Sequence, residues 1–256
     1  MGSNNVLFIV EGDSDEVKFL KTMIRNCYSS KSISFYSYKT TLHTLAQVLN
    51  DEYPDFEKDE IDLKLVLRSH EPNADRQLIL SQHYRDVYLV FDFEPQHDNP
   101  HFEVIRRMLV YFNSSSDQGK LYINYPMMQS YKHMLPMPDH KFLERSVTLS
   151  DVMKYKRIVG QESSYQDLTR YDYIIFASLA AHVIMKINYI LHHDTSLPDF
   201  QKYLEFSPVE LFDYQIQLVN THGLVSVLNT SILIFVDFAP EKYFREISTH
   251  RSDYYI

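Results

Sequence analysis

Apolar runs that end in acid alternate with amphipathic stretches through the first half of the chain. Val6 to Val10 is continuously apolar and predicts a strand buried on both faces. It runs into Glu11 and Gly12, then Asp13-Ser14-Asp15-Glu16, where Asp13 or Ser14 can cap a helix. Val17, Leu20 and Ile24 then mark one helical face, with Phe19 and Met23 beside them. Ser32 to Tyr38 alternates and is rich in β-formers, which predicts a second strand. Leu42, Leu45, Val48 and Leu49 fall at helical spacing over 41–49. A polar, acidic stretch follows from Asp51 to Asp62. Residues 61–67 fit a helix or a strand, and 73–84 reads as a helix. That helix leads into a second buried run, Val87 to Phe91, which ends in Asp92-Phe93-Glu94.

Beyond a polar loop over 94–100, Phe102, Ile105, Met108, Leu109 and Phe112 form one stripe of an amphipathic helix. Residues 114–119 are turn-rich, and 120–125 predicts a further strand stopped by Pro126. Buried strands alternating with helices predict an α/β fold, a mainly parallel sheet flanked by helices. The pattern changes after Pro136 and Pro138. From His140 onward it predicts helices over 149–159, 171–192, 208–221 and 224–237, with Gly223 as a stop between the last two and little strand. Ile232 to Phe238 is also β-branched and aromatic enough for a strand. The expected organisation is an α/β domain over 1–138 and a mostly helical C-terminal region over 139–256.

Composition narrows the function classes. The chain has 256 residues and a formal net charge of −9. Phosphate recognition by charge alone needs clustered Lys and Arg, so this balance counts against simple electrostatic nucleic-acid binding. A metal ion at the site or a basic partner protein can offset it. The single cysteine, Cys27, allows no intramolecular disulfide and reads as buried filler, in keeping with a reducing compartment. Val6 to Val10 is too short for a signal peptide. Tyr173 to Met185, interrupted by His182, reads as a core helix and not a membrane span. The expectation is a cytoplasmic protein without membrane contact.

The chemistry lies in the acids at the strand ends. A glutamate beside a glycine at a strand terminus suits a catalytic carboxylate, because Gly12 lets backbone or ligand come close. The plainer reading of residues 13–16 is helix capping and favourable interaction with the helix dipole. Alternation sets Asp92 and Glu94 on one face with Phe93 on the other. Two like charges there call for a cation, a proton or an arginine, and Mg²⁺ prefers carboxylate and water oxygens. In the plainer account Glu94 lies in a loop and faces water. His97 and Asp98 can support Asp92 or simply belong to a polar loop, and His192-His193-Asp194 reads as a polar helix end. No Gly-rich phosphate loop, nucleophile elbow or Cys–His pairing is present.

Val6 to Gly12 with Glu11, a helix, and a buried strand ending in Asp92-Phe93-Glu94 together resemble the Toprim domain of topoisomerases, bacterial primases and OLD-family nucleases. The resemblance covers residues 5–135. It implies a Toprim-like catalytic domain in which Glu11, Asp92 and Glu94 hold Mg²⁺ or Mn²⁺ for phosphodiester chemistry. The family has Asp where this chain has Glu94, which keeps the charge on a longer arm. Asp15 and Glu16 match the acids that serve a second metal site in OLD-like nucleases. Lys132, in the segment Pro126-Met127-Met128-Gln129-Ser130-Tyr131-Lys132, matches a lysine that approaches the scissile phosphate. Glu11, Asp92 and Lys132 are then the catalytic set, and Glu11, Asp15, Glu16, Asp92 and Glu94 the metal set. The implied activity is a nuclease acting on DNA or structured RNA such as tRNA. Small Toprim proteins with a helical appendage resemble AbiL- and PARIS-type effectors of phage defence, which implies an ABC-type ATPase partner. The alternatives are a non-catalytic Toprim-like interaction module and a nucleotide-binding regulator. The apolar C-terminal helices would serve a core or an interface, and a homodimer is the expectation.

Overall fold

The computed structural model describes residues 5–27 and 32–249, and the side chains of Cys27 and Thr249 lie outside that description. Alternating elements build the first half. They are β1 (Asn5–Val10), α1 (Asp15–Cys27), β2 (Ser32–Ser37), α2 (Leu42–Glu52), α3 (Leu63–His70), α4 (Ala74–Ser81), β3 (Asp86–Asp92), α5 (Phe102–Tyr111), β4 (Asn113–Ser114) and β5 (Gly119–Tyr125). The second half contains β6 (Ser146–Thr148), α6 (Leu149–Val152), α7 (Tyr155–Glu162), α8 (Tyr173–His192), α9 (Phe200–Leu204) and α10 (Pro208–His222). After these come β7 (Leu224–Ser226), β8 (Leu228–Asn229), α11 (Ile234–Asp237) and α12 (Pro240–Thr249). The main sheet has the order β2-β1-β3-β5-β4, with β8 added on β5, and β6 pairs with β7 separately. β1 runs parallel to both β2 and β3, while β4 and β8 run antiparallel to β5. This is an α/β fold with a mostly parallel sheet flanked by helices.

Internal contacts divide the chain into two units. The first holds β1 to Val17, the chain from β2 to Asp92, and His97–Tyr122; the second holds Lys18–Cys27, Phe93–Gln96 and the chain from Ile123. In the first unit β1 is central and buried from Val6 to Val10. Its register is set by an aromatic row across three strands. Phe8 pairs with Phe35 on β2 and Tyr88 on β3, and stacks on both at centroid distances of 5.3 and 5.4 Å. A one-residue slip would turn every side chain of β1 to the other face and break both stacks. Helix starts follow the sequence closely. Thr41 caps α2 through Thr44 N–H, Asp62 caps α3 through Lys64 N–H, and Asn73 caps α4 through Arg76 N–H. The segment that fitted helix or strand over 61–67 is thus mostly helix. The acidic stretch 51–62 is anchored by fully buried Phe56, which packs on Tyr111 and Phe112. Arg107 lies over that ring at 4.7 Å and forks onto the Glu57 carboxylate, its Nε donating at 2.6 Å.

In the second unit the long helix α8 is the core. It is long and apolar enough to cross a membrane, yet 72% of its most apolar window is buried inside the protein. Two sequence expectations change here. Residues 224–237 are not one helix. Gly223 does stop α10, in the left-handed region at φ 64°, but the chain then forms β7 against β6, β8 against β5, a 3-10 turn over 230–233 and only the short α11. The alternative strand over 232–238 is not formed either. Buried Gln215 explains the strand at 224–226: its amide donates to Ser226 O and accepts from Ser226 N–H, both at 3.0 Å. The helix expected over 149–159 is broken at Met153-Lys154 into α6 and α7.

Four polar side chains are buried along α8: Ser178, His182, Lys186 and Asn188. His182 is pinned in one tautomer, with Nδ1 donating to Ser178 O at 2.8 Å and Nε2 accepting Asp139 N–H at 3.0 Å. Lys186 is fully buried; Nζ donates to Phe142 O at 2.9 Å and Arg145 O at 2.7 Å. Burial, with the like charge of Arg145, pushes this ammonium well below the ordinary lysine range, against the opposing pull of Asp139. The unfolded chain therefore binds the extra proton more tightly. The cost is absent above the unfolded-state value near 10.5 and grows as pH falls toward the depressed folded-state value. Lys186→Met should remove this dependence. In urea unfolding, the stability of wild type relative to the variant should rise as the pH is raised toward about 10. Parallel pH profiles for the two proteins would refute the assignment.

Candidate functional site

The parallel pairing of β1 with β2 and β3 brings the ends of these strands to one edge. Val10 pairs with Val90, and the ladder continues one step further, Glu11 N–H donating to Val90 O at 3.3 Å. Pleating alone would send Glu11 and Asp92 to opposite faces, because they lie one and two residues beyond that pair. The strand ends resolve this differently. The Glu11 carboxylate lies over the end of β3, with Oε2 accepting the Asp92 N–H at 3.2 Å across 81 positions of sequence. Both residues are half-buried, so the corner combines partial desolvation with access.

The Glu16 carboxylate lies against Gly12, the residue after Glu11. A Cβ on Gly12 would stand 2.8 Å from Glu16 Oε2 and 3.3 Å from its other carboxylate atoms. The first turn of α1 thus returns its carboxylate to the space a side chain at residue 12 would fill. Asp15 sits beside Glu16 in the same helical turn, half-buried, with Asp13 and Ser14 exposed before it. Glu11, Asp15, Glu16 and Asp92 all belong to the first unit, and the contact that joins two of them is the Asp92 N–H on the Glu11 carboxylate. Among the described residues, however, no three His, Cys, Asp or Glu side chains stand in an arrangement that would by itself hold a metal ion.

The other two predicted residues belong to the second unit. Asp92 is the last residue of β3, so Glu94 lies in the following loop, but its Oε2 is buried and does not face water as the plainer reading had it. The alternation persists all the same: Phe91 and Phe93 are buried while Asp92 and Glu94 are half-exposed. Phe93 holds this loop, its N–H donating to Asn124 O at 3.1 Å and its ring packing on Tyr125 and Phe212. Lys132 ends the 3-10 turn Met128–Lys132 and lies 6.0 Å from the Tyr131 ring. That turn is held by buried amides. Asn229 Nδ2 donates to Met128 O at 2.9 Å, and Asn124 Nδ2 donates to Met128 Sδ at 3.3 Å. His97 and Asp98 lie in the loop before α5, where the His97 ring stacks on buried His43 at 4.6 Å.

Sequence reasoning missed the chain just after β2. Tyr38 N–H donates to Val10 O at 2.7 Å and Lys39 N–H to Glu11 O at 2.8 Å, so this segment borders the corner directly. No periodicity marks it, because its role follows from strand order.

Chemically, the corner is a set of hard oxygen donors from two neighbouring strands and one helical turn. Mg²⁺ keeps most of its water and takes one or two carboxylates, so Glu11 and Asp92 suit that ion as a donor set. The role of Gly12 can be tested without any ligand. The clashing atoms are the far end of a flexible side chain, so Gly12→Ala should cost under about 1 kcal/mol and leave the fold intact. Its cost should vanish in a Glu16→Ala background, a coupling that a double-mutant cycle of urea unfolding measures. Additive costs would show that the Glu16 carboxylate does not depend on the missing side chain. Comparison of the chain with protein-family models, curated proteins and solved structures finds no match in any of the three.

Proposed function

We propose that this protein is a metal-dependent phosphodiesterase, a nuclease of the Toprim type acting on DNA or a structured RNA such as tRNA. The observation that carries the reading is the contact of the Glu11 carboxylate with the Asp92 N–H, which joins acids from two distant strand ends at one half-buried edge. Glu11 and Asp92 are the residues that would hold Mg²⁺ or Mn²⁺, with Glu16, Asp15 and Glu94 as further acidic donors. When bound, the ion would supply Lewis-acid stabilisation of the phosphoryl oxygens. Glu11 takes the proton of the attacking water as general base. Asp92, whose own N–H keeps the Glu11 carboxylate in place, balances and orients that charge. Lys132 is proposed to meet the negative charge that develops on the phosphate.

The resemblance to AbiL- and PARIS-type effectors extends the reading to phage defence in the cytoplasm, with an ABC-type ATPase as partner and the acidic surface as its docking face. A homodimer belongs to the same proposal. A second reading, a non-catalytic interaction module, is favoured by the formal net charge of −9, which opposes binding of a polyanion.

Cleavage assays separate the two readings. Purified protein should cut labelled DNA or tRNA only with Mg²⁺ or Mn²⁺, and Glu11→Gln and Asp92→Asn should each reduce the rate on the order of a hundredfold or more. Metal-dependent cleavage that survives in both variants would mark a contaminating nuclease. No cleavage of any nucleic acid, with or without the ATPase, would leave the interaction module.

A further inference from the structure

Resting on the nuclease reading, we infer that Lys39 is a substrate-binding residue that receives a phosphate of the nucleic-acid backbone beside the Glu11–Asp92 corner. After β2 the chain does not leave β1 at once. Tyr38 N–H donates to Val10 O and Lys39 N–H donates to Glu11 O, which sets the Lys39 backbone one hydrogen bond from the proposed base. The Tyr38 ring meets Phe91 edge-on at 6.1 Å, so the same dipeptide is tied to the strand that ends in Asp92. Both supports of the corner thus hold Lys39 in position.

The conformation of Lys39 is unfavourable for a lysine. Its φ is 67°, in the left-handed region that glycine and asparagine enter readily and other residues avoid. A turn with no other duty would be better served by Gly. The side chain is exposed and makes no hydrogen bond or salt bridge among the described residues. It acts electrostatically on Glu71, and that buried carboxylate is already engaged. Tyr36 Oη donates to it at 2.8 Å, Asn73 N–H at 3.0 Å, and Arg76 pairs with it at 3.1 Å. Lys39 is therefore a cation in solvent, fixed at its backbone to an otherwise acidic rim. A polyanion approaching Glu11, Asp15, Glu16 and Asp92 needs such a charge, and an ammonium on a flexible stem is a suitable phosphate ligand.

The test uses the full chain and two probes, a short labelled DNA duplex and a tRNA. Binding is measured in Ca²⁺ over a range of salt, and cleavage in Mg²⁺. Lys39→Gly removes the charge and relaxes the backbone. It should leave the melting temperature unchanged or raise it, weaken binding about tenfold, and lower the slope of log affinity against log salt by about one. Lys39→Asn, which tolerates the same backbone region, should behave alike, and Lys39→Arg should restore binding. Wild-type binding and cleavage in Lys39→Gly, alongside loss of cleavage in Glu11→Gln, would overturn this inference and leave the nuclease reading standing. Failure of Lys39→Arg to restore binding would overturn it as well, as would unfolding of both Lys39→Gly and Lys39→Asn. If the wild-type protein neither binds nor cleaves either probe, both the inference and the reading fall.

Discussion

The row Phe35–Phe8–Tyr88 is the constraint on which the candidate site depends. It locks β1 in register between two parallel neighbours, and a parallel register decides which residues leave the sheet together. With Val10 opposite Val90, the acids that follow each strand emerge at the same edge. The tie from Asp92 N–H to the Glu11 carboxylate then closes the corner. Open α/β sheets place ligands outside the carboxyl ends of their strands, because there the chain turns away and backbone groups become available. Glu11 and Asp92 stand where that rule puts a site.

The second unit shows a different economy of polar groups. Its core helix carries His182 and Lys186 at positions a purely apolar helix would fill with leucine or isoleucine. Each is satisfied by backbone of the segment between cis Pro138 and β6: Asp139 N–H for His182, Phe142 O and Arg145 O for Lys186. Arg145 in turn pairs with Asp139 at 2.7 Å and donates to His133 O at 2.8 Å. These contacts give an irregular stretch of chain partners for its buried carbonyls, which water would otherwise supply. They specify which loop lies on α8 more than they add stability, since each buried charge carries a desolvation cost.

Much of the first unit was legible from side-chain periodicity. The runs Val6–Val10 and Val87–Phe91 read as strands because nothing polar interrupts them, and Thr41 and Asn73 mark helix starts by a chemistry that depends only on neighbours in sequence. Residues 224–237 were misread for the opposite reason. Their apolar content suits helix or strand, and the choice was made by Gln215, a side chain of the preceding helix, clasping both backbone groups of Ser226. Polar side chains that replace backbone partners leave no periodic trace.

The sequence by itself determined the elements and the acids that end them, because strand length, caps and the acid after each apolar run are set by near neighbours. It also marked Glu11, Asp92 and Glu16 as candidates by residue type. Only the tertiary structure decided that Glu16 reaches back past Gly12, that Glu11 leans over the end of β3, and that Lys39 rests on Glu11. Those three facts depend on strand order and register, which are settled by packing between residues far apart in the chain and by no local preference.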